Sequence, residues 1–393
     1  MHIKKIFNIF LKFLLIILIS LSLFLVIDFF FWRILINKYS SIIKENLFYQ
    51  KKYRVYDPIF HHTFAPSIGE TKTQWGDKLR HSICTNEYGF ISRCFANKEE
   101  LYEIIFIGDS FTEGVGYKYE DTFVGLIHDK IKLPITNMAV KSYSTKIYLS
   151  KTKYFLEKGI KFKHLVVFID ISDLIDDSND YILTENFIVK DKKIGKRIET
   201  YINVNFRLLD YFVFYLKSEG IIKNFNFVKN IKKHLNKKEE IILNNSGKAI
   251  SDNKAQEWQL KSDLKSQWTY SKTNQITGYD LPINEAINEQ IKVMTQLYEL
   301  LKKNNIKLSI AVYPWPQTIL YDQRENLMKT TWENFCKNKC ANFINTFPLF
   351  INDEHQLSTK RQIIEKYYID NDFHFNREGN QLVADYFIKN FKF

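Results

Sequence analysis

The residues with the clearest chemical potential in this chain of 393 amino acids follow an apolar run near position 105. Residues 104–107 are apolar and of β-strand character, and the chain then turns through Gly108, Asp109 and Ser110. Open α/β sheets place their chemistry at the carboxyl ends of strands, which makes Ser110 a candidate nucleophile. Because a serine hydroxyl needs a base before it can attack, the sequence must also supply a histidine.

One of the nine histidines, His374, lies in a polar loop directly before a segment with apolar residues at helical spacing. Asp372 precedes it by two residues, and a carboxylate beside an imidazole fixes the tautomer and stabilises the imidazolium. Alternatively, Ser110 forms an ordinary surface turn and His374 caps a helix. The presence of both motifs at opposite ends of one α/β pattern favours a catalytic triad of Ser110, His374 and Asp372.

The Gly-Asp-Ser block at residues 108–110 resembles the first motif of the SGNH (GDSL) hydrolase family, and the resemblance covers residues 100–175 and 305–393. The more specific half is the D-x-H-x-N-x-x-G pattern at residues 372–379. Asn371 stands where the family has aspartate, and the Asp-x-His spacing is similar to that of the SGNH-like domains of alginate O-acetylation proteins. Asp370 is a second candidate for the third member of the triad.

The two middle motifs of the family are altered in this chain. Ser142 occupies the position of a glycine whose backbone N–H joins the oxyanion hole, and Ser172 replaces an asparagine donor. The resemblance implies that the backbone of Ser110, together with Ser142 and Ser172, forms this hole. A serine at position 142 keeps its backbone donor provided that no positive φ is needed. Losing one such donor typically costs about 10²–10³-fold in rate, so an inactive protein that keeps the fold of the family is the alternative.

Four residues are expected beside the substrate: Asp109, Asn137, Asp173 and Trp315. Trp315 stands between two prolines after an apolar strand, where it would form a rigid aromatic platform for an acyl group or a sugar ring. A simple packing role is the alternative for this tryptophan.

The elements around these residues alternate between strand and helix. Strands are predicted at 102–107, 135–138, 164–169, 307–313 and 342–344, with helices at 144–158 and 284–304. This alternation predicts an α/β protein with a parallel sheet, and the family resemblance implies a flavodoxin-like, three-layer α/β/α sandwich. Residues 180–282 interrupt the pattern as an insertion. The sequence contains no Gly-rich phosphate loop, dinucleotide fingerprint or metal-ligand cluster, so no cofactor and no metal are expected.

Residues 6–31 are long and apolar enough to span a bilayer. Lys4 and Lys5 precede the segment, which predicts a cytoplasmic N-terminus and an extracytoplasmic catalytic region, periplasmic or on the outer face. Aromatic residues rather than small ones follow it, so an uncleaved anchor is favoured over a cleaved signal peptide. The predicted domains are a transmembrane anchor at 1–32, a connecting arm with hairpins at 33–100, and an SGNH hydrolase-like domain at 101–393.

The chain carries a formal net charge of +12 and four cysteines. Without a nucleic-acid-binding motif, the charge suits anionic lipid or anionic glycan better than nucleic acid. Cys84 could pair with Cys94 and Cys336 with Cys340, an even count being typical of exported proteins; four free thiols remain the alternative.

These features predict a membrane-anchored serine esterase or O-acyltransferase that acts on ester groups of a cell-envelope carbohydrate. An acyltransferase with a single span would need a membrane partner to deliver the acyl donor. A glycan-binding or scaffold protein without activity, and a lipase with preference for long acyl chains, are the alternatives.

Overall fold

The computed structural model describes residues 2–35, 53–75, 79–95, 99–206, 263–276, 278–321, 325–351 and 360–392. These residues fall into two compact units, one formed by 53–192 with 250–393 and the other by 1–52 with 193–249. The first unit begins at Tyr53 and so includes residues 53–100 of the predicted arm. Residues 207–262, the centre of the predicted insertion, lie outside the described residues. The domain boundaries therefore stay a prediction.

The strands of the described part are numbered in chain order. They are β1 (Arg54–Asp57), β2 (His61–Phe64), β3 (Thr71–Trp75), β4 (Leu79–Ile83), β5 (Tyr102–Gly108), β6 (Ile135–Asn137), β7 (Phe162–Ile169), β8 (Tyr181–Leu183), β9 (Val189–Asp191), β10 (Lys307–Val312) and β11 (Asn342–Asn345).

The α-helices follow the same convention. They are α1 (His2–Leu35), α2 (Ser110–Glu113), α3 (Phe123–Ile131), α4 (Thr145–Glu157), α5 (Asp173–Asn179), α6 (Ile194–Asn205), α7 (Ile283–Lys303), α8 (Pro316–Leu320), α9 (Leu327–Cys336), α10 (Phe347–Ile351), α11 (Lys360–Tyr367) and α12 (Arg377–Asn390).

The central sheet has five parallel strands in the order β11-β10-β7-β5-β6. When these five strands are numbered in chain order and read from the β6 edge, the order is the 2-1-3-4-5 order of flavodoxin-like folds, which confirms the predicted fold class. The order reverses between β5 and β7, and such a switch point opens a crevice at the carboxyl ends of the two strands. Ser110 lies two residues after the end of β5, and Asp170 directly follows β7.

Helices cover both faces of this sheet. Helix α12 packs against α3, whereas α7 packs against α4 and α5. Parallel crossovers are right-handed, and the step from β5 to β6 runs opposite to the later steps, so the two groups of helices lie on opposite faces. β7 is buried from His164 to Ile169, as expected of a central strand covered on both sides.

Two antiparallel hairpins precede the sheet in sequence. Strand β1 pairs with β2, and β3 pairs with β4. A disulfide joins Cys84, directly after β4, to Cys94, and a second joins Cys336 to Cys340 at the end of α9. Both pairings considered from the sequence are therefore present.

The second unit contains α1 and α6. Helix α1 is long and apolar enough between Phe10 and Phe30 to cross a membrane, as an anchor or as a signal sequence. Apolar side chains along this stretch, such as those of Phe13 and Ile16, are exposed. The predicted span thus corresponds to one continuous helix.

Candidate active site

Ser110 is the first residue of α2, at the point where β5 ends. Gly108 makes this sharp turn possible, because a Cβ there would lie 2.2 Å from the Thr112 hydroxyl and 2.8 Å from the Phe168 carbonyl oxygen of the neighbouring strand. Gly114 then ends the short helix in a left-handed conformation with φ of 81°. The strand and this turn together hold Ser110 at the carboxyl edge of the sheet.

His374 is held by a tight loop between α11 and α12. Tyr368 and Phe375 form an antiparallel bridge, and the backbone N–H of Ile369 donates to the carbonyl of His374 at 2.9 Å. Asn376 caps α12 by accepting a hydrogen bond from the backbone N–H of Gly379. These contacts fix the loop at both ends, and the His374 side chain is almost fully buried.

Three side chains from these loops form a hydrogen-bonded series. The Nε2 atom of His374 lies 2.8 Å from the Ser110 hydroxyl, and its Nδ1 lies 2.5 Å from Oδ1 of Asp372. The same carboxylate oxygen accepts a bond from the His374 backbone N–H at 3.0 Å. With the proton on Nδ1 facing the carboxylate, Nε2 presents a lone pair to Ser110, as a general base must. Asp370 is exposed, and Asp372 is the carboxylate that contacts the imidazole.

The environment of Asp372 keeps its carboxyl ionised. Burial alone would raise its pKa, but the neighbouring His374 and hydrogen bonds from His374 and Trp75 together lower the pKa to about 2. The carboxylate is therefore charged over the whole physiological range and can stabilise a positive charge on the imidazole.

Trp75, which sequence reasoning did not single out, is the second support of this carboxylate. Its indole Nε1–H donates to Oδ2 of Asp372 at 2.8 Å, and its ring meets the His374 ring edge-on at a centroid distance of 5.2 Å. Phe111 and Phe373 also contact the imidazole, with centroids 4.8 Å and 4.3 Å away. No motif marks Trp75, which lies 297 residues from Asp372 in a strand of the predicted arm.

The loop that carries Ser142 is tied to the helix of the nucleophile. Glu113 binds the guanidinium of Arg54 through both carboxylate oxygens and accepts the backbone N–H of Lys141 at 2.6 Å. Ser142 follows with φ of 63°, so this position does require the left-handed conformation that a glycine adopts without strain. Donation by the Ser142 backbone is predicted on the condition that this position needs no positive φ, and that condition is not met. The left-handed conformation costs a serine about 1 kcal/mol.

The buried side chain of Lys151 donates hydrogen bonds to residues at both ends of the loop that carries Ser142. Its ammonium donates to the Met138 carbonyl at 2.9 Å, to the Tyr143 hydroxyl at 3.0 Å and to the Thr63 hydroxyl at 3.2 Å. Burial lowers the pKa of Lys151 to about 7. Its three bonds connect α4 with hairpin β1–β2 and with the segment from Met138 to Tyr143.

Ser172 does not present a free hydroxyl to the site. Its hydroxyl lies 2.6 Å from Oδ1 of Asp170 and 3.2 Å from Oδ2 of Asp109. A serine hydroxyl has one proton, and here that proton faces a carboxyl group. This geometry does not support the expectation that the Ser172 side chain donates to an oxyanion.

The buried carboxyl groups of Asp109, Asp170 and Asp173 offer ligand atoms that lie within 4.8 Å of one another. Burial and then the charge of Asp170 raise the pKa of both Asp109 and Asp173 well above its usual range. The hydroxyl of Tyr313 donates to Asp170 at 2.5 Å, and that of Tyr148 donates to Asp173 at 2.9 Å. Tyrosine and serine hydroxyls donate to all three groups, while Oδ1 of Asp109 has no hydrogen-bond partner among the described residues. With two raised pKa values, the set fits carboxyl groups that share protons better than ligands of a cation.

Two of the residues expected beside the substrate also lie within the protein core. Asn137 is fully buried, and its side-chain amide links the Thr112 carbonyl at 2.6 Å to the Ala139 N–H at 2.9 Å. Trp315 is 1% exposed and stacks on Phe373 at 4.5 Å, with its Nε1 lying 3.1 Å from Asp170. The tryptophan therefore stands behind Phe373 and not at the surface.

No protein-family model and no curated protein match this chain. Several solved structures are similar to it. The psychrotrophic esterase EstA from a Pseudoalteromonas species is 12% identical, with 74% of this chain and 96% of that chain covered and a TM-score of 0.35. A lipolytic protein of the G-D-S-L family from Desulfitobacterium hafniense is 12% identical, with 73% and 97% covered and a TM-score of 0.35. A variant of an acetyl-xylooligosaccharide esterase from Geobacillus is 11% identical, with 73% and 93% covered and a TM-score of 0.34.

Proposed function

We propose that this chain is a serine esterase or O-acyltransferase with Ser110 as nucleophile, His374 as general base and Asp372 as the group that orients it. One observation carries the proposal: Ser110 lies 2.8 Å from His374, which lies 2.5 Å from a carboxylate of lowered pKa. These distances are within the reach required for proton transfer from the hydroxyl to the imidazole.

The reaction would proceed in two stages. The Ser110 hydroxyl oxygen bonds to the acyl carbon while its proton moves to Nε2 of His374, and backbone N–H groups of Ser110 and Ser142 face the developing oxyanion. The intermediate then expels the alcohol, which takes the proton from His374, and leaves an acyl group on Ser110. Water or a sugar hydroxyl attacks this acyl-enzyme, and the choice between them separates an esterase from a transferase.

We further propose that the substrate is an ester of a cell-envelope carbohydrate and that α1 anchors the protein in a membrane. The length and apolar character of α1 support the anchor, with the catalytic unit on the extracytoplasmic side and the two disulfides suited to that location. If the acceptor is a sugar, a membrane partner would supply the acyl donor. No nucleic acid and no cofactor are required by this chemistry.

The altered oxyanion region favours one second candidate, a glycan-binding protein that has lost activity. Ser142 occupies a strained left-handed position, and the Ser172 hydroxyl is engaged by Asp170. Only the backbone donors then remain, which would lower the rate relative to a complete hole.

The test uses the full-length protein in detergent, treated with a fluorophosphonate probe and with para-nitrophenyl acetate. Ser110→Ala and His374→Ala should abolish labelling and turnover, whereas Ser67→Ala, at an exposed serine between β2 and β3, should leave both unchanged. A folded wild type that is neither labelled nor active would contradict the enzymatic proposal and favour the binding protein.

A further inference from the structure

The ammonium of Lys141 packs on the ring of Trp75, the tryptophan that donates a hydrogen bond to Asp372. Its Nζ is 5.5 Å from the centroid of the Trp75 ring, and the indole contacts both Asp372 and His374. Lys141 also directly precedes Ser142, the proposed oxyanion donor. A single aromatic ring thus separates this cation from the proposed catalytic base.

Lys141 has no carboxylate of its own among the described residues. The acidic side chain that acts most strongly on it, Glu113, is held by the guanidinium of Arg54 and by the backbone N–H of Lys141. Burial, followed by the charge of Arg54, lowers the pKa of Lys141, while Glu113 and Asp109 oppose this change. The carboxylate that opposes the burial of Lys141 most strongly, Glu113, is thus already bound to the guanidinium of Arg54.

A purely structural role for Lys141 would be packing of its ammonium on the indole. Such a cation–π contact contributes about 0.5–1 kcal/mol at an exposed site. Partial burial of an unpaired ammonium opposes that gain, whereas an anion bound beside it would restore the lost solvation. Arg54 is already engaged by Glu113, whereas Lys141 has no carboxylate partner in the described part of the chain and can meet a ligand that enters the site.

We propose that Lys141 binds an anionic group, a carboxylate or a phosphate, that the substrate carries next to the reacting ester. This assignment rests on the proposed function, because it concerns the same site, and it predicts selectivity for charged over neutral esters.

The experiment compares esters that differ mainly in charge, using full-length protein in detergent. The neutral ester is methyl para-acetoxybenzoate, and its anionic counterparts are para-acetoxybenzoate and para-acetoxyphenyl phosphate. We expect Lys141→Gln to lower the ratio of kcat/KM for an anionic ester to that for the neutral ester by about fivefold or more, and Lys141→Arg to retain it. Raising the salt from about 0.05 M to about 0.5 M should reduce the ratio in the wild type and leave it unchanged in Lys141→Gln.

Lys303→Gln is the matched control for net charge. Lys303 is exposed at the end of α7, before β10 begins, and so lies at the opposite edge of the sheet from the carboxyl ends of the strands. Its ratio should equal that of the wild type. The two anionic esters separate the sources, since a site that prefers one of them identifies the carboxylate or the phosphate as its ligand.

Binding of benzoate, measured by calorimetry against benzamide, provides a readout without turnover. An active wild type whose charge ratio is unchanged in Lys141→Gln would overturn the anion site and leave the proposed function intact. An inactive protein that still binds benzoate through Lys141 would overturn the proposed function alone. An inactive protein without Lys141-dependent binding would overturn both.

Discussion

Substitution of Asp372 by asparagine tests how the carboxylate orients the imidazole. Asp372 accepts three hydrogen bonds, two on Oδ1 from His374 and one on Oδ2 from the indole of Trp75 at 2.8 Å. Asparagine has one acceptor oxygen and one NH₂ group. If the oxygen of the asparagine faces His374, its NH₂ group faces the indole N–H of Trp75, and two donors meet. If the amide is turned by about 180°, the NH₂ group faces the N–H donors of His374 instead.

The effect of Trp75→Phe should therefore change sign with the residue at position 372. In the wild type, phenylalanine leaves Oδ2 without its indole donor, and a hydrogen bond to a charged group is worth about 1.5–3 kcal/mol, so we expect kcat/KM to fall by a factor between about 10 and about 100. Asp372→Asn alone should lose about 10⁴-fold, as in serine proteases. In that background Trp75→Phe removes the clash between two donors, so about tenfold should be regained.

The assay is kcat/KM for para-nitrophenyl acetate in the four proteins of this double-mutant cycle, in detergent and at equal concentration. Thermal unfolding controls for folding, and phenylalanine keeps an aromatic ring beside His374. If Trp75→Phe lowers activity in both backgrounds by the same factor, the two residues act independently. That result would refute the role of the indole N–H in orienting position 372.

Three further predictions concern stability in detergent. Ser142→Gly should raise the free energy of unfolding by up to about 1 kcal/mol, because glycine adopts positive φ without strain, and a lower melting temperature would contradict this. Burial lowers the pKa of Lys151 from 10.5 to about 7, so the unfolded chain binds more protons than the folded protein between these pH values. The free energy of unfolding should therefore rise from about pH 7 to about pH 9. Urea unfolding should show that Lys151→Met removes this rise. Gly108→Ala should abolish folding on expression, because the added Cβ would lie 2.8 Å from the backbone carbonyl oxygen of Phe168. Gly69→Ala should fold normally, because no atom lies within 4 Å of a Cβ at that position.

The sheet could be predicted because its signals are local. Each predicted strand corresponds to one of the five observed strands, and the helices predicted at 144–158 and 284–304 correspond to α4 and α7. The three proposed triad residues could be chosen because chain topology brings the ends of β5 and of the last loop to one edge. Their roles stay a prediction, although the structure places them in hydrogen-bonding contact.

The surroundings of the site depend on contacts between distant segments, which leave no local pattern. Trp75 reaches Asp372 only because hairpin β3–β4 packs at this edge, and nothing in its own strand indicates that partner. Trp315 has the sequence features of an exposed platform, yet Phe373 covers its ring. Ser172 resembles a donor by position, but two buried carboxyl groups compete for its proton. These outcomes follow from tertiary packing and from which acceptor lies nearest.

The hydrogen bond between Ser110 and His374 joins residues separated by 264 positions. Closing so long a loop is entropically costly, and contacts of this range generally form late and slow the folding of a domain. During synthesis, Ser110 emerges long before α12, the helix whose cap fixes the loop of His374. The nucleophile should therefore remain inert in every chain that lacks α12, and its reactivity should report on the docking of that helix.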